Sequence, residues 1–154
     1  MHETETSSPF LPAIIADDLS GALDSGVQFA RFGFATRLML RNIEPWPVVV
    51  INTASRELAP EDAARRCRQA TRSLSGRKLY KKIDSTLRGQ VGVEIEAVLA
   101  ESGCTKAVVC PAAPLQGRVV RGGQIYVNGV LLHESGFRDD PSFPARTSSI
   151  TGLI

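Results

Sequence analysis

The chain has little of what marks a metal centre, a disulfide framework or a nucleic-acid surface. Its three cysteines, Cys67, Cys104 and Cys110, are odd in number and lack metal-ligand spacing, so they read as reduced thiols rather than bridges. The two histidines, His2 and His133, stand isolated and offer no catalytic pair. Aromatic residues are 6% of the sequence; Trp46, Tyr80 and the phenylalanines suit core or cover better than a base-stacking platform. A net charge of +2, with no long run of Lys or Arg, leaves no electrostatic footprint for nucleic acid. No apolar stretch approaches the roughly 20 residues of a membrane-spanning helix. The opening "MHETETSSP" is too polar for a signal peptide and predicts a flexible tail over residues 1–12. These absences predict a cytoplasmic protein with no nucleic-acid or membrane partner and no resident metal.

What is present is an ordinary globular composition. With 154 residues, 43% hydrophobic and 22% charged, the chain suffices for one domain with a real core. "AIIA" (13–16), "ATRLML" (35–40), "VVVIN" (48–52), "KLYKK" (78–82) and "KAVVC" (106–110) read as strands. Leu19, Leu23, Val27 and Ala30 recur at helical spacing before Gly33. "EDAARRCRQATRSL" follows Pro60, a good first-turn residue, with acids early and arginines late, as the helix dipole favours. "RGQVGVEIEAVLAESG" predicts a helix with Val91, Ile95, Val98 and Leu99 inward. Strands alternating with helices predict an α/β fold: a mostly parallel sheet with helices on both faces, in a Rossmann-like three-layer arrangement. Asn128-Gly129, between two apolar triplets, predicts a C-terminal β-hairpin.

In open parallel sheets, ligands bind beyond the carboxyl ends of the strands. Three polar clusters fall there. The first, Asp17-Asp18-Leu19-Ser20-Gly21 with Asp24 one turn on, sets carboxylates at a helix start, where they can bind hydroxyls or take a proton. Helix capping accounts for one such residue but not for two adjacent acids. The second, "KKIDSTLRG" (81–89), gathers Lys82, Asp84, Ser85, Thr86, Arg88 and Gly89, a set suited to a small polyhydroxylated anion. Arg88, read as opening the next helix, can grip a carboxylate bidentately. The third, "PAAPLQGR" (111–118), stiffens a loop before Gly117 and Arg118. Asn52 to Arg56 form a fourth candidate, with Arg56 as its binding residue. The phosphate-cradling pattern G-x-x-x-x-G-K-S/T is missing.

Together these stretches resemble the four-carbon acid sugar kinase family. "IIADDLSGALDSGVQFARFG" is similar to its Asp-Asp-Leu-Thr-Gly-Ala opening, with Ser20 for the commoner Thr. "KKIDSTLRG" matches its Lys-x-Asp-Ser-Thr-x-Arg-Gly signature, and "GGQIYVNGVLLHE" with "DDPSFP" resembles its later hairpin and Asp-Pro segment. The resemblance implies ATP-dependent phosphorylation of four-carbon sugar acids such as threonate, erythronate or their oxo forms. It also implies a first domain for the sugar acid and a second, with ATP and Mg2+, for the nucleotide. It places substrate contact at Asp17, Asp18, Lys82, Asp84, Ser85, Arg88 and the Gly117-Arg118 loop, with Asp17 or Asp18 as the base. Asn52 stands where the family usually has an acid, and Ala113 where an aromatic is usual.

Residues 13–154 are therefore expected to be part of the substrate-binding domain, cut short, with the nucleotide-binding half absent or separately encoded. No cofactor is expected on this chain alone, which is expected to be inactive by itself. The alternative is a non-catalytic fragment or sugar-acid-binding module. A signalling receiver domain fails because Asn52 and Cys110-Pro111 replace its acceptor Asp and its Lys. An Asp-x-Asp phosphatase fails at Leu19.

Overall fold

The computed structural model describes residues 11–40 and 46–154. Its larger sheet is wholly parallel, with β1 (Pro12–Ala16), β2 (Thr36–Met39), β3 (Val48–Asn52) and β4 (Lys78–Lys82) in the order β2-β3-β1-β4. β1 and β3 are central, and their alternating side chains feed two cores. Ile14, Ala16, Val48 and Val50 face helix α1 (Leu19–Arg31). Ala13, Ile15 and Val49 face the other layer, which includes Cys67, Ala70 and Leu74 at α2 (Pro60–Ser73) and Ala97 and Val98 of α3 (Val91–Ser102). The predicted three layers are therefore present. Of the tail expected over 1–12, residues 1–10, including His2, lie outside the described residues, and Pro12 opens β1.

Helix α1 departs from the periodicity reading. Its buried residues are Gly21, Ala22, Ser25 and Gly26, whereas Leu19, Leu23 and Val27 remain about half exposed. The helix lies so close to the sheet that a Cβ on Gly26 would stand 3.2 Å from Val50 Cγ2. Small residues set this contact, so the large apolar stripe points elsewhere. Helix α3 departs too. Val91 and Val98 are buried as expected, but Glu94 is buried beside them.

"KAVVC" does not pair. Residues 104–110 adopt no regular structure and are almost all exposed, and β4 is left as the sheet edge. An apolar β-branched run becomes a strand only where its backbone groups meet an edge and its side chains are covered; here neither happens.

A second sheet is a meander of β5 (Arg118–Arg121), β6 (Gln124–Val127) and β7 (Val130–Leu131). Both turns have positive φ at two successive residues, Gly122-Gly123 and Asn128-Gly129, as tight hairpins of this twist require. The second was predicted; the first was not. Ile125, Val127 and Leu132 pack with Leu87, Val91 and Ala145, which seats the meander against the turn leading into α3.

Candidate functional site

The site grows from two strand ends. At the end of β1 the chain turns at Asp17 and enters α1 through Asp18, whose Oδ1 caps the helix by accepting from Gly21 N at 2.9 Å. Its other oxygen lies 3.0 Å from Arg56 Nη1. Asp17 is 2% exposed and accepts from the same guanidinium, Oδ2 from Nε at 2.7 Å and Oδ1 from Nη2 at 3.2 Å. The adjacent acids thus have different tasks. Asp18 caps and remains partly open, while Asp17 is sealed beneath Arg56. Burial works against the Arg56 charge, but the hydrogen bond to Asp17 and the fields of Asp17, Asp18 and Asp84 together push its pKa upward. Gly21 is required here, because a Cβ would stand 2.6 Å from Asp18 Oδ1 and 3.3 Å from Lys82 Cγ.

After β4 the second cluster folds on itself. Asp84 Oδ2 accepts from Thr86 N at 3.1 Å, from the Thr86 hydroxyl, and from Arg88 Nε at 3.0 Å; Arg88 Nη2 reaches Oδ1 at 2.9 Å. Burial alone would raise the Asp84 carboxyl, but Arg88 and Thr86 hold it well below the carboxylate range. Arg88 Nη1 also reaches Asp140 of the Asp-Pro segment at 3.4 Å. Arg88 therefore does not open the helix as a free anion grip. Helix α3 begins three residues later, at Val91, and the guanidinium is already clamped between two carboxylates. Gly89 has φ +97, and a Cβ there would stand 3.2 Å from Arg56 Cγ, so the two turns close on each other through this glycine. Arg56 Nη2 lies 4.0 Å from Asp84 Oδ1, which joins both strand ends in one charged rim.

Beneath the rim lies a polar layer. Thr53 and Ser55 are buried, and their hydroxyl oxygens are 2.7 Å apart. Ser55 donates to Glu94 Oε1, while Lys81 Nζ stands 2.8 Å from Oε2. Burial pushes the neighbouring Cys67 thiol up to about 11, which keeps it a neutral thiol.

Two recesses flank the rim. One, of about 340 Å³, is lined by Thr86, Arg88, Gly89, Phe137, Ser142 and Phe143 among others. The second, of about 300 Å³, lies between α1 and β4 and is lined by Asp24, Phe29, Tyr80 and Lys82 among others. Ser20 is exposed at the start of α1, and Ser85 is half-buried in the Asp84 turn. Lys82 donates to Ile83 O at 2.8 Å and has no carboxylate partner among the described residues. Gly117 and Arg118 stand apart from the acids. Gly117 sits under the hairpin, where a Cβ would meet Asn128 Oδ1 at 1.9 Å. The Arg118 guanidinium lies 5.7 Å from the Phe137 ring centre, and that of Arg88 lies 5.5 Å from it. Arg56 came from the weak fourth candidate stretch, and Glu94 was missed. The only sequence signal for Glu94 is an acid on the face shared by Val91 and Val98.

Among the described residues no group of three His, Cys, Asp or Glu side chains is placed to hold a metal ion. No described helix is long and apolar enough to cross a membrane.

Residues 12–154 match the family described as "Sugar-binding N-terminal domain". A D-threonate kinase of Bordetella bronchiseptica is 41% identical over 154 residues, covering 92% of this chain and 38% of that protein. A D-erythronate kinase of Heliobacterium modesticaldum is 39% identical, covering 92% and 35%. A 3-oxo-tetronate kinase of Methylobacterium radiotolerans is 31% identical, covering 91% and 36%. The chain thus spans well under half the length of these relatives. A crystal structure from Bordetella bronchiseptica, described as a domain of unknown function with bound citrate and as a domain-swapped dimer, superposes with a TM-score of 0.86 at 40% identity. It covers 93% of this chain and 39% of that one. With the family match spanning nearly the whole chain, the chain belongs to the sugar-binding N-terminal domains of the four-carbon acid sugar kinases.

Proposed function

We propose that residues 13–154 form the substrate-binding part of an ATP-dependent kinase for four-carbon sugar acids of the threonate, erythronate or 3-oxo-tetronate type. The observation that carries this reading is the rim itself. Asp17, Asp18 and Asp84, from two motifs, converge on Arg56 within 4.0 Å. Carboxylates at a strand-end crevice are acceptors for substrate hydroxyls. Lys82, a rim cation with no acid partner among the described residues, meets the substrate carboxylate beside the first turn of α1. Arg88 then supports Asp84 and contributes only its remaining N–H groups.

Of the two candidate bases, Asp18 suits the role better. Its side chain is 26% exposed, against 3% for Asp17, and it can reach a bound hydroxyl, while Asp17 is sealed under Arg56. In this reading Asp18 takes the proton of the attacking hydroxyl, and Asp17 orients Arg56.

ATP and Mg2+ do not fit the residues described here. Among the described residues no three acidic, histidine or cysteine side chains are grouped to hold a metal ion, and the sequence carries no phosphate-cradling glycine loop. The nucleotide is assigned to a nucleotide-binding half outside these residues, so the chain alone binds a sugar acid without turnover. NMR titration with D-threonate, D-erythronate and D-threitol, the last lacking a carboxylate, tests this. Shifts centred on Asp18, Lys82 and Asp84 with the two acids and not with the alcohol are expected. No shifts with either acid would overturn it, and shifts with all three alike would remove the anion-binding role.

A further inference from the structure

We infer that Glu94 is a positioning residue for Arg56, acting through Ser55. Glu94 is 1% exposed, in the first turn of α3, and touches none of the rim carboxylates. Its two oxygens have separate partners. Oε2 pairs with Lys81 Nζ at 2.8 Å, a side chain itself 9% exposed. Oε1 accepts the proton of the Ser55 hydroxyl. Ser55 Oγ has a single proton, so once it donates to Glu94 it can only accept from Thr53, 2.7 Å away. The Thr53 hydroxyl also stands 2.8 Å from Ala16 O, the carbonyl that Thr53 N–H reaches at 2.8 Å, so its single proton serves either Ala16 O or Ser55. Ser55 therefore donates to a carboxylate fixed by Lys81 and rests on Thr53, which is itself tied to the end of β1 through Ala16 O.

The turn held this way has a strained backbone. Ala54 has φ +46, a left-handed conformation that is unfavourable for a non-glycine residue. Ser55 N and Arg56 N both donate to Asp17 O, at 2.9 and 3.3 Å. Arg56 leaves this turn toward Asp17, Asp18 and Asp84. A buried ion pair is weak support for stability by itself, because desolvation offsets its attraction. This pair's consequence is geometric: it supplies a fixed acceptor for the residue next to Arg56.

The inference relies on the sugar-acid reading only for its purpose, and its first test needs no ligand. In the unliganded chain, the Arg56 Nε–H bonded to Asp17 and the Arg88 Nε–H bonded to Asp84 should both give slowly exchanging NMR signals. Ser55→Ala, which removes no charge, and Glu94→Gln should each speed exchange at Arg56 roughly ten-fold or more, as local opening allows, and leave Arg88 unchanged. If Glu94→Gln does not fold, Ser55→Ala decides. An unchanged Arg56 signal in a folded variant, or equal loss at both arginines, would overturn the inference. A second arm titrates D-threonate. Glu94→Gln should weaken binding in the wild-type background and have no further effect in an Arg56→Ala background; equal weakening in both backgrounds also overturns it. Absence of wild-type binding would instead count against the sugar-acid reading, and the exchange result would stand.

Discussion

The two acidic turns at the rim lie on adjacent strands but are assembled in different ways. The Asp84 turn is local. Its partners Thr86 and Arg88 are two and four residues away, so the motif largely builds itself. The Asp17-Asp18 turn depends on Arg56, 39 residues from Asp17, and Arg56 is held through Ser55 by Glu94, 39 residues beyond Ser55. A short motif can therefore specify most of one half of a site, with Asp140 added from a distance, while the other half exists only when the sheet and α3 have closed.

The largest expected effect lies in the local turn. Asp84→Asn leaves Arg88 without its principal partner and should destabilise the domain by about 3 kcal/mol in urea denaturation, the usual cost of breaking a buried pair. Because the folded Asp84 carboxyl lies below its ordinary value of 3.8, unfolding takes up a proton there. Its contribution is complete above that value and is lost as pH falls through the lowered folded one. The wild type should lose stability with acid in this window, and Asp84→Asn should flatten that loss.

Next comes Arg56→Met, which leaves Asp17 sealed without its cation and should cost about 2 kcal/mol. Urea denaturation and the Asp84 turn's amide exchange together sharpen the comparison. Asp84 and Thr86 signals should persist while those of the first turn of α1 weaken. Gly89→Ala should follow at about 1–2 kcal/mol, since it combines a strained φ with a 3.2 Å approach to Arg56 Cγ. The smallest effect is expected on the outer face of α1, where Leu23→Ser should stay within about 0.5 kcal/mol. A loss above 1 kcal/mol there would show that the stripe is covered.

Much of the fold could be read from periodicity. A short apolar run marked β1, a continuous β-branched run marked β3, and Asn128-Gly129 marked its hairpin, because such features are carried by local sequence. The packing face of α1 could not be read this way. Hydrophobic periodicity weights large side chains, whereas Gly21, Ala22, Ser25 and Gly26 make the contact because they are small. "KAVVC" misled for a related reason, since strand propensity does not supply an edge to pair with. At the site, Asp17, Asp18 and Asp84 were visible as strand-end acids. Arg56 had little local context, and Glu94 was hidden among inward apolar residues, because both roles come from tertiary closure.

The central claim is that a rim organised by Arg56 holds a four-carbon sugar acid. Calorimetric titration of D-threonate into the wild type and Arg56→Lys tests it most directly, because lysine keeps the charge and loses the planar fork that spans Asp17 and Asp18. The wild type should bind, Arg56→Lys should bind at least roughly ten-fold more weakly (a loss of about 1.4 kcal/mol), and its unfolding midpoint should change only slightly. Equal affinity in the two proteins, or no binding by a folded wild type, would contradict it.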